Sequence, residues 1–164
     1  MLQKKVCILG GFGVGKTSLV RRYVESIFSD AYLTTIGVKI EKKTVTVGAA
    51  DVALILWDIA GEDEAMTIRT SYLRGSAGYF LVVDVTRGET LEVAKSIRAR
   101  VTSEIGPVPF LFLFNKADLK EDWEIPEQFL EDLKDAGCGV LRTSAKTGEG
   151  VEEAFQELAK RMVL

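Results

Sequence analysis

Histidine is absent from the 164 residues, and cysteine and proline are scarce, with two and three copies. The lack of histidine excludes histidine-based catalysis, histidine metal ligands and a histidine pH switch. Cys7 and Cys138 suit a reducing cytoplasm rather than a disulfide scaffold. Cys7 falls in an apolar segment, where we expect it to pack rather than react. No apolar run reaches membrane-spanning length, and we expect no signal peptide.

A basic stripe of the kind that binds nucleic acid is also missing, since the net charge is −3 and the pI is about 5.2. Residue 2 is leucine and the last six residues lack cysteine, so we expect no lipid anchor. Hydrophobic residues make up 47% and charged residues 27%, which is typical of a globular chain with a sizeable core. We expect one domain over residues 1–164, a cytoplasmic location and a monomer.

The most specific motif is Gly10-Gly11-Phe12-Gly13-Val14-Gly15-Lys16-Thr17. It fits the P-loop pattern, which roughly one chain in two hundred of this length would contain by chance. Small residues let the backbone curl so that successive N–H groups form an anion site, and the dipole of a helix starting at Gly15-Lys16 strengthens it. Lys16 then serves the outer phosphates, and Thr17 offers its hydroxyl to Mg²⁺.

Segments with strand and helix periodicity alternate along the chain. We expect strands at about 4–9, 38–47, 51–57, 78–85, 109–114 and 139–142, and helices at about 18–27, 91–105, 126–136 and 151–162. Strands two and three form a hairpin, and a change of apolar phase between Ile40 and Val45 predicts a bulge or a bend. Phe129 is expected on the core face of its helix. The fold class is α/β: a three-layer P-loop NTPase with a six-stranded, mostly parallel sheet, one antiparallel hairpin and helices on both faces.

Polar residues follow the third, fifth and sixth strands, where such sheets bind their ligands. Asp58 ends the third strand and is a second handle for Mg²⁺, usually through water. Gly61 can bring its N–H against a γ-phosphate, where a Cβ would interfere. Asn115-Lys116-Ala117-Asp118 follows the fifth strand, and Thr143-Ser144-Ala145-Lys146 follows the sixth.

The carboxylate of Asp118 can accept hydrogen bonds from the N1–H and 2-amino group of guanine, a pair that adenine does not offer. The stem of Lys116 can cover the ring edge, and residues 143–146 can place a backbone N–H at guanine O6. Each tetrapeptide alone would indicate a polar loop. Their joint placement after successive strands predicts a guanine-nucleotide site.

With these motifs in this order, essentially the whole chain resembles a small GTPase of the Ras superfamily. Thr35-Ile36-Gly37-Val38 and Trp57-Asp58-Ile59-Ala60-Gly61 are most similar to Rab-like members. The resemblance implies a G domain that binds GTP or GDP with Mg²⁺ and hydrolyses GTP. It also implies that effector or regulator proteins read switch I, about 31–42, and switch II, about 62–74.

The resemblance further implies that Thr35 closes on Mg²⁺ and the γ-phosphate, that Phe28 packs edge-on to guanine and that Tyr32 covers the phosphates. The expected nucleotide contacts are Gly11, Phe12, Gly13, Val14, Gly15, Lys16, Thr17, Ser18, Phe28, Tyr32, Thr35, Gly61, Asn115, Lys116, Asp118, Leu119, Ser144, Ala145 and Lys146. The expected Mg²⁺ ligands are Thr17, Thr35 and Asp58. The expected catalytic residues are Lys16, Thr35, Gly61 and Glu62.

Two residues depart from the family pattern at the hydrolysis machinery. Glu62 replaces the usual glutamine, and an ionised carboxylate cannot donate a hydrogen bond to the transition state. Phe12 replaces a very small residue, and its ring would crowd the γ-phosphate and an arginine finger unless it turns away. We therefore expect intact GTP binding and slow hydrolysis. A finger in cis from Arg69 or Arg74 is disfavoured because switch arginines are usually solvated.

Two alternatives remain open on the sequence alone. One is a GTP-binding scaffold or regulatory module with little or no hydrolysis. The other is a P-loop kinase or ATPase, which residues 115–118 and the lack of an obvious lid insertion disfavour.

Overall fold

The computed structural model describes residues 2–25, 38–59 and 68–163. The elements, in chain order, are β1 (Leu2–Gly10), α1 (Lys16–Glu25), β2 (Val38–Val47), β3 (Ala50–Ile59), α2 (Thr70–Leu73), β4 (Ser76–Asp84), α3 (Glu89–Ile105), β5 (Phe110–Asn115), α4 (Glu127–Asp135), β6 (Gly139–Arg142) and α5 (Val151–Val163). A 3₁₀ turn, Lys120–Asp122, lies between β5 and α4. Across these three ranges, no helix is both long and apolar enough to cross a bilayer.

The strands form one sheet in the order β2-β3-β1-β4-β5-β6. Neighbouring strands from β3 to β6 in this order are parallel, and β2 pairs antiparallel with β3. The nearly continuous apolar strands β1, β4 and β5 lie inside the sheet, where helices cover both faces. The six-stranded α/β class predicted from the sequence is confirmed.

Two cores form because side chains alternate across the sheet. In β1, Val6 and Ile8 pack with residues of α1 and α5, whereas Cys7 and Leu9 pack with residues of α2, α3 and α4. The sheet is therefore the middle of three layers, and its loops are carried on a rigid support.

Cys7 is a packing residue, as expected. It is fully buried, and its Sγ lies 3.1 Å from the Ser76 hydroxyl. Burial raises the pKa of the Cys7 thiol, so the thiol stays protonated and is a poor nucleophile.

Of the bulge or bend predicted in β2, the bulge is wrong. The β2–β3 register runs unbroken from Val38 opposite Ile59 to Val47 opposite Ala50. Val45 and Val47 pack on the α1–α5 layer, whereas Val38 packs on the opposite layer. The change in apolar phase therefore reflects which face is covered at each end of this edge strand, and no residue is inserted.

The core position predicted for Phe129 is also wrong. Phe129 is 44% exposed, whereas Leu130 is buried and Leu133 packs partly against the core. Helix α4 lies beside β6 at the edge of the sheet. The sheet therefore buries a narrower face of this helix than its apolar pattern predicts.

Phe155 and Phe129 offer a matched pair of substitutions. Phe155 is buried and stacks on Tyr23 with ring centroids 3.7 Å apart, and it meets Phe80 edge-on at 4.8 Å. We expect Phe155→Ala to lower the free energy of unfolding by about 3–5 kcal/mol, because it removes a large buried ring. We expect Phe129→Ala to change it by less than about 1 kcal/mol. Urea denaturation measures both, and a large loss for Phe129→Ala would contradict its exposed position.

Candidate functional site

The carboxyl ends of β1, β3, β4, β5 and β6 lie along one edge of the sheet, because these strands are parallel. The polar segments that end or follow them therefore meet there. We call residues 10–17, after β1, the P-loop. We call residues 115–119 and 143–146, after β5 and β6, the base loops.

The P-loop glycines are required by conformation and by space. Gly13 and Gly15 have φ values of 73° and 100°, which side-chain-bearing residues rarely adopt. A Cβ on Gly10 would lie 2.6 Å from the carbonyl oxygen of Val82, and a Cβ on Gly15 would collide with the amide of Asn115. The motif seen in the sequence thus lets the loop lie directly against β4 and β5.

Side chains of the base loops hold the P-loop backbone from outside. Asn115 Nδ2 donates to the carbonyl of Val14 at 2.9 Å, and Lys116 Nζ donates to the carbonyl of Gly13 at 3.1 Å. The hydroxyl of Thr143 donates to Asn115 Oδ1 at 3.1 Å, which fixes the orientation of the amide. The carbonyls of Gly13 and Val14 are thereby held towards the base loops, and the N–H groups that follow them face the other way.

Lys16, Thr17 and Asp58 bring the charges and oxygens expected of a nucleotide–Mg²⁺ site. Lys16 Nζ lies 3.2 Å from the Gly11 carbonyl oxygen and 3.4 Å from that of Gly10. Thr17 Oγ1 donates to Asp58 Oδ2 at 2.6 Å, and Asp58 is fully buried. A hydroxyl and a carboxylate are hard oxygen ligands that fit Mg²⁺. Among the described residues, no group of three or more acidic or cysteine side chains is placed so that it could hold a metal ion.

The base loops are held to each other and to α1. The Ser144 hydroxyl donates to Asp118 Oδ1 at 2.7 Å, and Ala117 N donates to Thr143 O at 3.0 Å. Arg22 of α1 donates to Thr147 O at 3.2 Å, just beyond the second loop. The carboxylate of Asp118 is therefore oriented before any ligand arrives, which reduces the cost of ordering it on binding.

Lys116 adopts a strained backbone, with φ at 64°, and its Nζ pairs with Asp84 Oδ2 at 2.8 Å. Asp84 is fully buried at the end of β4, where its Oδ1 accepts from the N–H and hydroxyl of Thr86. Nearby, Arg87 Nη1 donates to the carbonyl of Phe12 at 2.7 Å. A strained backbone such as that of Lys116 is typical of functional loops.

Asp84 and Arg87 were missed by sequence reasoning. Asp84, like Asp58, is an acidic residue at the end of an apolar strand. The reasoning that selected Asp58 after the third strand would also have selected Asp84 after the fourth. Arg87 carries no comparable signal, because an arginine in a loop usually indicates only a solvated surface.

The structure brings together the predicted residues of the P-loop, Asp58 and the base loops. Within this set, Phe12, Leu119 and Lys146 are exposed, and Lys16, Asn115 and Ser144 are buried. Five predicted site residues lie outside the described residues: Phe28, Tyr32, Thr35, Gly61 and Glu62. The roles expected for those five stay predictions.

Thr143→Val tests whether the base loops support the P-loop through Asn115. The change keeps the shape but removes the buried donor to Asn115 Oδ1, so we expect the free energy of unfolding to fall by about 1–3 kcal/mol. Guanine-nucleotide affinity should fall with it. Thr44→Val, on the exposed face of β2, is the control and should change neither quantity. Equal behaviour of the two variants would show that the Thr143–Asn115 bond does not support the loop.

Residues 5–164 match the Ras family. Ras-related protein Rab-13 of Canis lupus familiaris is 35% identical over 98% of this chain and 80% of its own length. Ras-related protein Rab-8B of Homo sapiens is 35% identical over 95% of this chain and 76% of its own. Ras-related protein SEC4 of Saccharomyces cerevisiae is 36% identical over 95% of this chain and 73% of its own. With this family match and the site geometry together, the chain belongs to the Ras family as a Rab-like, GTP-binding GTPase.

Proposed function

We propose that this chain is a nucleotide-gated switch in which the P-loop holds the phosphates and the base loops read guanine. The observation that carries the proposal is the convergence of three groups at one sheet edge: the Lys16 amine, the Thr17–Asp58 pair and the Asp118 carboxylate fixed by Ser144. Family membership supports GTP over ATP as the ligand, and so disfavours the kinase alternative. A single G domain over residues 1–164 is part of the proposal.

Mg²⁺ is the proposed cofactor. The ligands are Thr17 and Asp58, with Thr35 joining them from switch I in the GTP state. When bound, the ion neutralises phosphate charge and orients the outer phosphates. The buried carboxylate of Asp58, already oriented by the Thr17 hydroxyl, supports this assignment.

The partners of a Rab-like GTPase are effector and regulator proteins, and we propose that they read switch I (31–42) and switch II (62–74). A γ-phosphate gives Thr35 and the Gly61 N–H something to hold, and its loss releases both segments. We propose that the protein acts as a monomer in the cytoplasm. The two cysteines, which are both free, agree with a reducing compartment.

Slow hydrolysis is the second part of the proposal and rests on Glu62 and Phe12. A carboxylate at position 62 lacks the donor that a glutamine amide offers to the transition state. Phe12 is 47% exposed within the P-loop, and we propose that its ring obstructs an incoming arginine finger. A complete loss of hydrolysis would make the chain a GTP-binding scaffold instead.

Glu62→Gln tests the hydrolysis rate directly. We expect the single-turnover rate of GTP hydrolysis to rise, by about tenfold or more, because the amide regains a hydrogen bond to the transition state. Glu64→Gln, which removes a neighbouring charge, should leave the rate near that of the wild type. A fast wild-type rate that drops in Glu62→Gln would refute the proposed slow hydrolysis. Absence of GTP hydrolysis in both the wild type and Glu62→Gln would favour the alternative function, a GTP-binding scaffold.

Asp118→Asn tests the reading of the base. The amide cannot accept both guanine donors, so we expect GTP affinity to fall by about a hundredfold or more. Xanthine carries a carbonyl in place of the 2-amino group, and an amide N–H can donate to it. The variant should therefore prefer XTP to GTP in competition with a labelled nucleotide.

Asp122→Asn, in the neighbouring 3₁₀ turn, is the matched control and should keep the wild-type preference. Unchanged GTP affinity in Asp118→Asn would show that another group reads the base.

A further inference from the structure

Arg87 reaches from the loop after β4 to the P-loop. Its Nη1 donates to the Phe12 carbonyl at 2.7 Å and lies 4.0 Å from Asp84 Oδ2. The other oxygen of Asp84 is held by Thr86, and Oδ2 also pairs with Lys116 at 2.8 Å. One buried carboxylate therefore lies between two cations, and each cation holds a P-loop carbonyl.

Three consecutive P-loop carbonyls are held by side chains from outside the loop. Arg87 holds that of Phe12, Lys116 that of Gly13 and Asn115 that of Val14. The described peptide bonds are not cis, and in a trans peptide the C=O and the following N–H point in opposite directions. Holding the Phe12 carbonyl therefore aims the Gly13 N–H at the concave side. The base loops orient two peptides of the P-loop, and Arg87 orients a third, Phe12–Gly13.

The order of the three held peptides along the chain relates them to the phosphates of the proposed site. Lys16 Nζ, the amine that serves the outer phosphates, lies beside the carbonyls of Gly10 and Gly11, at the strand side of the loop. The first turn of α1, whose N–H groups face the inner phosphates, lies at the other side. Of the three held peptides, Phe12–Gly13 comes first along the chain after β1.

We propose that Arg87 is a positioning residue for GTP, which aims the Gly13 N–H at the outer phosphates while Asp84 fixes its guanidinium. The inference rests on the proposed nucleotide site. A charged donor on the Phe12 carbonyl also polarises the peptide, which makes the Gly13 N–H a stronger donor. GDP lacks the γ-phosphate, one of the outer phosphates at which the Gly13 N–H is aimed. Losing the orientation of this N–H therefore weakens GTP binding more than GDP binding.

Arg87→Met in the full chain keeps the length of the side chain and removes its charge and donors. We measure dissociation constants for fluorescently labelled GTP and GDP with Mg²⁺. We expect GTP affinity to fall about tenfold and GDP affinity about twofold or less, since one charge-assisted hydrogen bond that orients the loop is lost. The ratio of the two affinities is independent of the stability of the empty protein, so a merely structural role would not move it.

Three further variants serve as controls. Arg161→Met removes a similarly exposed arginine that pairs with Glu157 on α5, far along the chain from the P-loop, and should keep the wild-type ratio. Glu89→Gln removes the solvent-side partner of Arg87 and leaves its bond to Phe12, so it should also keep the ratio. Arg87→Lys retains the charge and should recover part of the lost GTP affinity.

Two results would overturn the role of Arg87: no loss in Arg87→Met, or equal losses of GTP and GDP affinity. A wild-type protein that binds neither nucleotide would overturn the proposed site instead, so the two failures are distinguishable.

Discussion

The side chain of Asn115 is the contact on which the functional edge of the sheet depends. Its amide donates to Val14 of the P-loop and accepts from Thr143, so it joins the ends of β1, β5 and β6. The same amide occupies the space that a Cβ on Gly15 would need. All of these groups lie in a largely buried setting, where losing one partner leaves a polar group unsatisfied. The P-loop and the base loops therefore share one hydrogen-bonded support, so the phosphate site and the base site that we propose are not independent of each other.

The sheet makes such short contacts possible. Parallel pairing fixes the offsets between β1, β4 and β5, so Asp84 and Asn115 lie side by side at the same level. From there, Lys116 and Arg87 need only one side-chain length to reach the P-loop. A loop that is rich in glycine would otherwise have many conformations, and the side chains around it select one.

Much of this was predictable because the signals were local. The P-loop pattern, the apolar runs of β4 and β5 and the stripe of α5 each carry their own periodicity or spacing. The errors came where the outcome depends on which face a neighbour covers. Ile40 is exposed on an edge strand, and Phe129 lies on a helix beside the last strand of the sheet. The bond between Arg87 and Phe12 joins residues 75 positions apart, and no local pattern records such a contact.

The Val38–Ile59 pair lies at the open end of the β2–β3 hairpin, opposite the turn. Residues 37 and 60, which lead into switch I and switch II, are attached at this end. Directly paired residues in an antiparallel ladder have Cα atoms about 5 Å apart, so the chain continues into residues 37 and 60 from two adjacent positions of the ladder. We proposed that partners read both switch segments, and a partner that reads both would then require the GTP state in both at once. Under that proposal, the ratio of its affinities for the GTP and GDP forms is the product of two local differences and exceeds the ratio that either segment alone would give.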